Sequence, residues 1–363
     1  MTPEREVSLP QAPPSVVSAP GAPGFGPTQG EPRFGTYQGE LPEVDLHRLQ
    51  GRWAPASALE RLFKRKRWQY TLVSTPEVLA LFALVDVGYS ANAFAVAYDL
   101  QARKLLCDVS FLGLPGPLAR VGDRPGVGLD ASFRTLGARM SALRGQDERL
   151  RLRVDVNRLR TGSLRTFLWE GALRTDGAPP ALTVIAPVGG DGFVNVTQKR
   201  AGLLASGSLR AGGKRFDLEG GVGGTDYTQG DLARHTAWRW AFLSGRLPDG
   251  TPLGLNLVEG FNESAGTNEN ALWVGGRLIP VGRAVFEYDR TNLRAPWRVR
   301  TEDGVVDLGF QPLHVHREDH DFKLVVSHFA QPLGLFTGTL RIDGRPQPVA
   351  GVPGVTEDQD MLW

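Results

Sequence analysis

The sequence predicts an all-β protein: two tandem antiparallel β-barrels behind a flexible N-terminal leader, with one short helix between leader and barrels. Three observations predict it. The 363 residues include 45 glycines and 26 prolines, well above the ordinary ~12% for the two together, and such a chain is broken into short strands and turns. Apolar residues recur at every second position. Turn signals separate about 19 such runs, with no helical period between them to carry a parallel crossover.

The first 40 residues hold Pro10, Pro13, Pro14, Pro20, Pro23, Pro27 and Pro32 among small residues. They offer too little apolar surface to repay the entropy of ordering, which predicts a flexible leader over 1–40. Ser57 followed by Glu60 fits a capping box, and Leu59, Leu62 and Phe63 share one helical face, predicting two or three helical turns. The run Lys64-Arg65-Lys66-Arg67 that follows reads as a solvated, dipole-compensating helix end. From Trp68 the period is two. In Arg149 to Asn157, Leu150, Leu152, Val154 and Val156 alternate with Arg149, Arg151, Arg153 and Asp155, as in a strand with one wet face. Asp249-Gly250, Asp303-Gly304 and Asp343-Gly344 mark turns of the hairpin type. A single barrel of so many strands would be too wide for its side chains to fill, whereas two of eight to ten strands need only ~130–160 residues each. The glycine-rich stretch after Lys199-Arg200-Ala201-Gly202 places an N-terminal barrel over 41–200 and a C-terminal barrel over 201–363.

Several function classes fall away. With 41 basic and 39 acidic residues the net charge is +2, too balanced for electrostatic attachment to nucleic acid. The single cysteine, Cys107, excludes an internal disulfide framework and reads as a buried small hydrophobe. The N-terminus lacks a secretory apolar core and no stretch reaches the ~18 apolar residues of an integral membrane segment, so the expected location is cytoplasmic. Gly220 to Thr225 lacks the helix and the Lys-Ser/Thr ending of a phosphate loop, and no Gly-x-Ser-x-Gly elbow or Cys-His pair supplies a nucleophile. Nothing in the sequence calls for a cofactor.

The richest segment is Asp226 to Asn270. Trp238 and Trp240 point the same way in a strand, and Asn256, Asn262 and Asn270 follow within 35 residues. Aromatic walls with a few amides suit a cavity for a mostly apolar ligand, although tryptophans in strands also serve as plain core. Asp226, Glu259, Glu263 and Glu269 are candidate acids. A carboxyl buried in an apolar cavity has a raised pKa and can protonate an alkene or carbonyl, which supports hydration, isomerisation or cyclisation; next to glycine and asparagine such acids also serve as turn residues. Lys199, in a chain poor in lysine, is a candidate partner for a ligand carboxylate or an exposed strand end. His314, His316 and His320, with Glu318, form the most metal-like string, since i and i+2 in a strand face one side; the interspersed charges equally describe a solvated hairpin, and no metal is assigned.

In order along the chain, Lys66-Arg67-Trp68-Gln69-Tyr70, Val85-Asp86-Val87-Gly88-Tyr89, Asp226-Tyr227-Thr228-Gln229-Gly230, Thr236 to Ala241, Asn256 to Gly260, Glu269-Asn270, Phe336-Thr337-Gly338 and Gly354-Val355-Thr356-Glu357 resemble a bacterial family known as domain of unknown function 2804. Through it the chain resembles the tandem lipocalin-like (calycin) fold of carotenoid 1,2-hydratases and certain cyclisation enzymes. The resemblance implies an apolar, polyene-like ligand held between or within the barrels. Two functions stand side by side: a protein that binds a lipophilic small molecule in a β-barrel cavity, placed first because no acid-base pair is identifiable, and a cofactor-free acid-catalysed hydratase, isomerase or cyclase. What separates them is whether a carboxylate sits in a closed apolar pocket with a raised pKa.

Overall fold

The computed structural model describes residues 30–363 except 55–56, 157–165, 191, 264–265 and 322–325, together with Val17 and Ser18. Among these residues lie 24 strands, one α-helix and two 3-10 turns. The strands form two hydrogen-bonded sheets, the first ending at Asp231 and the second beginning at His235. Both follow one plan. The opening strand of each pairs with its closing strand: Arg65–Ser74 with Val222–Asp231, and His235–Arg246 with Arg345–Leu362. Antiparallel meanders fill the space between, and the two ends of each main strand order are consecutive strands, Lys104–Gly113 with Ala119–Val121 and Arg277–Pro280 with Ala284–Glu287. Pairing first strand with last curls each sheet into a barrel.

Position 200 lies inside the strand Val194–Ala211 and not between the sheets. Pairing with the closing strand shifts register between Arg200 and Leu203, where Gly202 adopts φ +76°. The bulge bends the strand, so its first half pairs with Leu182–Pro187 and its second half with Phe167–Arg174. The glycine signal there marks a bend rather than a boundary.

The leader is also shorter than its composition suggested. Residues 1–29 lie outside the described residues apart from Val17 and Ser18, but Gly35–Gln38 pairs with Leu182–Pro187. Leu41 N donates to Gln198 Oε1 at 2.8 Å, Glu40 accepts from Arg144 at 2.5 Å and from Arg200, and Leu41, Val44 and Leu46 are wholly buried in the first core. Replacing Leu41 by alanine is therefore expected to cost about 2–5 kcal/mol in urea denaturation. A loss below ~0.5 kcal/mol, the size of a surface change, would detach this segment from the core.

The helix Ala58–Lys64 is capped as its sequence predicts, Ser57 Oγ accepting from Glu60 N at 3.0 Å. Its apolar face is only loosely packed: Leu59, Leu62 and Phe63 are 64%, 41% and 54% exposed, with Phe63 meeting Tyr89 at 5.6 Å between ring centroids. The basic run behind it is not a solvated end. Arg65 and Lys66 open the first barrel strand and are buried; Arg65 pairs with Asp231 at 2.6 Å, and Lys66 Nζ donates to Phe63 O and Val87 O at 2.5 and 3.0 Å. No helix among the described residues is long and apolar enough to cross a membrane.

Each barrel is filled by its own side chains. Phe82, Phe133, Phe167 and Trp169 sit in the first interior with Leu150, Leu152, Val154 and Val156 of the alternating strand; Trp297, Phe310 and Phe336 sit in the second. A third cluster joins the outer faces. In Arg65–Ser74, Val73 points into the barrel while Tyr70 and Leu72 point out, toward Trp238, Trp240 and Phe242 of the second barrel. Close approach needs glycine here. A Cβ on Gly254 would lie 2.3 Å from Ala201 Cβ, and one on Gly224 2.5 Å from Phe242 Cζ. Ser74 Oγ donates to Ser244 O at 2.5 Å across the same seam.

Candidate functional site

Where the outer faces part, they enclose a cavity of about 310 Å³, at the lower end of the roughly 300–1,000 Å³ typical of small-molecule sites. The first barrel supplies Trp68, Tyr70, Asn92, Phe94, Lys199 and Asp226; the second supplies Trp238, Trp240, Glu269, Glu318, Phe329 and Glu357. The cavity is therefore between the barrels. Of the two placements the resemblance implied, between or within the barrels, the cavity takes the first; a site inside a barrel is not available because both interiors are packed with aromatic and branched side chains.

The period-two argument places Trp238 and Trp240 on this wall. Trp238 stacks on Trp68 with centroids 5.8 Å apart, and Tyr70 meets Trp240 edge-on at 5.0 Å. Trp240 Nε1 donates to Asn256 Oδ1 at 2.7 Å, and Asn256 Nδ2 donates to Glu269 O at 2.7 Å. Asn256 thus lies behind the wall and orients a ring. Asn270 also stands behind it, its Oδ1 accepting from Val258 N at 2.6 Å and its amide donating to Gly282 O at 3.2 Å. Asn262 does line the cavity; it adopts φ +57° and donates to Glu269 Oε1 at 3.0 Å.

Lys199 is buried, not an exposed strand end. Its Nζ lies 2.8 Å from Asp226 Oδ2 and 3.1 Å from Glu269 Oε2, one acid from each barrel. Burial acts against the ammonium, but the two carboxylates outweigh it and raise the Lys199 pKa. Burial likewise raises that of Glu269, with Lys199 opposing. Asp226 is further held by Trp68 Nε1 at 3.3 Å and by the hydroxyls of Thr197 and Thr228 at 3.3 and 3.2 Å. Glu259 and Glu263 are not on the cavity wall. Glu259 is half-buried beside Arg239, and Glu263 caps a turn by accepting from Gly260 N at 3.1 Å.

Sequence reasoning missed the acid that matters most. Glu357, on the closing strand of the second barrel, accepts from Trp238 Nε1 at 2.7 Å and from Gln331 Nε2 at 2.8 Å. Among the described residues no cation bonds to it. Burial pushes its pKa up to about 7 despite those two donors, so near neutrality its protonated and ionised forms coexist inside an aromatic cavity. Beside it the buried Tyr70 hydroxyl has no hydrogen-bond partner in the protein, and burial holds its pKa well above the usual phenol value. The one sequence signal for Glu357 was its place in the Gly354 to Glu357 motif.

The histidine string is taken up by contacts with the first barrel. His314 Nε2 and His316 Nδ1 both turn onto Asp108 of the first barrel, at 2.5 and 2.7 Å, and the His320 side chain lies outside the described residues. Among the described residues no group of three or more His, Cys, Asp or Glu is arranged to hold a metal ion.

The fold and site define a class: a tandem β-barrel protein with a small-molecule-sized, acid-bearing cavity between its barrels. Within that class, the chain belongs to the family described as Domain of unknown function (DUF2804), whose model matches residues 26–363. Among solved structures the chain is similar to an AttH-type protein of Nitrosomonas europaea, with 16% identity over 82% of this chain and 92% of that one and a TM-score of 0.48. It is also similar to kievitone hydratase from Nectria haematococca (11% identity, 82% and 88% coverage, TM-score 0.46). A third similarity is to CghA with Sch210972 (11% identity, 91% and 99% coverage, TM-score 0.38). No curated protein matches the sequence significantly.

Proposed function

We propose that the cavity between the barrels takes up a largely apolar, unsaturated small molecule and that Glu357 protonates it, making the protein a cofactor-free acid catalyst of hydration, isomerisation or cyclisation. The observation that carries this reading is the Glu357 carboxyl itself, buried against Trp238 with a pKa near 7. A pure carrier gains nothing from an acid poised at neutral pH, whereas a general acid works best when its pKa lies near the operating pH. Protonating a double bond creates positive charge. The faces of Trp68, Trp238 and Trp240 stabilise a cation by ~0.5–2 kcal/mol each when desolvated, and the cavity wall holds more carboxyl groups than cations, with Asp226, Glu269, Glu318 and Glu357 against Lys199.

The test starts from the purified full-length chain. Its organic extract, analysed by mass spectrometry, is expected to contain an unsaturated apolar compound. Returned to the protein in D₂O, that compound is expected to acquire deuterium on carbon. A compound that binds but returns without deuterium or added water would leave binding standing and overturn catalysis. The absence of any bound compound, together with no uptake of the neutral fluorophore N-phenyl-1-naphthylamine, would overturn both.

A further inference from the structure

An acid that protonates an alkene needs a partner that takes a proton away. Water attacking the cation must lose one, and so must a carbon beside the cation if a new double bond forms. Glu357 cannot serve both ends at once. The Lys199 cluster is a poor candidate, because Asp226 and Glu269 are each committed to the same ammonium.

The second barrel carries another carboxylate on the same wall. Glu318 pairs across the sheet with Phe329, and Phe329 with Gln359, two residues along the same strand from Glu357, so the two acids stand two strands and two residues apart, roughly 12 Å between backbones at ~4.8 Å per strand and ~3.4 Å per residue. Both line the cavity, which leaves room for a substrate between them. Glu318 is built into its place from both barrels. Asn92 Nδ2 donates to Glu318 Oε2, while Oε1 lies 3.6 Å from His316 Nε2. His316, 2% exposed at its side chain, is sandwiched by cavity residues, stacked on Phe94 at 4.5 Å and edge-on to Phe329 at 5.9 Å. Asp108 holds its other nitrogen.

We infer that Glu318 is the proton acceptor of this cavity, with His316 and Asp108 as positioning residues that keep it an anion facing the substrate's positive charge. The inference rests on the proposed acid catalysis and adds its second half. Glu357 gives its proton to one alkene carbon, the π pair forming the new C–H bond. The neighbouring cationic carbon then either takes a water oxygen, whose proton passes to the Glu318 carboxylate, or gives up an adjacent proton to Glu318 as its C–H pair becomes a double bond. Return of that proton from Glu318 to Glu357 through solvent resets the site. The charges around Glu318 favour this direction. Burial works against its ionisation, but His316 outweighs it and lowers the Glu318 pKa. His316 itself, against the cost of burial, is raised to about 9 by Asp108 and Glu318. The other neighbours facing Glu318 are the neutral Asn92 and Ser110, and Glu357 and the Lys199 cluster stand elsewhere on the cavity wall.

Two alkyl probes of equal chain length, N,N-dimethyldecylamine, cationic at neutral pH, and neutral 1-decanol, test this by displacement of N-phenyl-1-naphthylamine below their micellar concentrations. The wild-type protein is expected to prefer the amine, and Glu318→Gln, which keeps size and the Asn92 contact, is expected to lower that preference about tenfold at pH 7. In His316→Gln the preference is expected to survive at pH 8 and to fall away on acidification at a higher pH than in the wild type, a shift that lost packing alone does not produce. If both probes bind and Glu318→Gln leaves the ratio unchanged, the Glu318 assignment fails while Glu357 catalysis stands. If neither probe nor fluorophore enters, the cavity reading fails and this inference with it.

Discussion

Replacement of Glu357 by glutamine is expected to stabilise the protein and to stop its chemistry. The Glu357 carboxyl titrates near 7 in the folded protein and near ~4.3 in an unfolded chain. The folded state therefore keeps a proton that the unfolded state gives up. The stability this group contributes is complete below about pH 4 and is lost as pH rises toward 7 and beyond. At pH 8 the deficit amounts to about 3 kcal/mol for a fully buried group. Glutamine removes it, because the side chain no longer has to ionise or stay protonated against the solvent. It keeps the shape of the neutral acid, and Gln331, whose Oε1 has no partner in the protein, can turn over to accept from the new amide. Urea midpoints should thus be higher for Glu357→Gln at pH 8 and converge with the wild type near pH 4. Deuterium incorporation into the extracted ligand should fall at least a hundredfold, the lower end of what a general acid contributes. Equal stability of variant and wild type at both pH values would show an ionised, solvated Glu357 and remove the acid from the mechanism.

The parts of this site legible in the sequence are those fixed by local geometry. Trp238 and Trp240 are two apart in a strand, so whichever way one faces the other follows. The strand Arg149–Val156 shows its buried face in its alternation, and Asp343-Gly344 shows its turn, both residues taking positive φ between the paired Ile342 and Arg345. What no local pattern reveals is which side of a strand meets a second barrel. Val78 to Leu84 is buried on both sides and reads as a continuous apolar run, which is also how a fully covered strand in any fold reads. Glu357 escaped for the same reason. It becomes the neighbour of Trp240 only because the last strand of the barrel pairs with the first, a contact between distant parts of the chain. Glu318 was hidden among alternating charges that describe a solvated hairpin until Asp108 of the other barrel docks against them. The leader was misjudged at its end by composition alone: proline and glycine dominate it, yet Gly35–Gln38 pairs with Leu182–Pro187 and Glu40 accepts from Arg144 and Arg200.

Lys199→Met is expected to be the most destabilising single change in the site, and its pattern distinguishes a structural ion cluster from a ligand-binding lysine. The ammonium is buried with Asp226 of the first barrel and Glu269 of the second. Without it two carboxylates share a buried space with no cation, and removing one partner of a buried ion pair costs about 3–5 kcal/mol. By contrast the exposed pair Arg277 and Asp343 should lose less than ~1 kcal/mol on Arg277→Ala. Lower pH should relieve the Lys199→Met variant, because burial already raises the Glu269 pKa and protonating that carboxyl removes one of the uncompensated buried charges. Its deficit in urea should then be largest at pH 8 and shrink toward pH 5. Adding Asp226→Asn and Glu269→Gln should restore most of the stability, since a buried ion cluster replaced whole by neutral groups is often no weaker than the original. The cluster also ties the barrels together. The wild type is expected to unfold in one transition and the variant in a broadened or split one, read by comparing tryptophan fluorescence with far-UV circular dichroism. A Lys199→Met variant that unfolds in one transition within 1 kcal/mol of the wild type at pH 8 would mean that the ion cluster does not hold the fold together, leaving Lys199 free to meet a ligand.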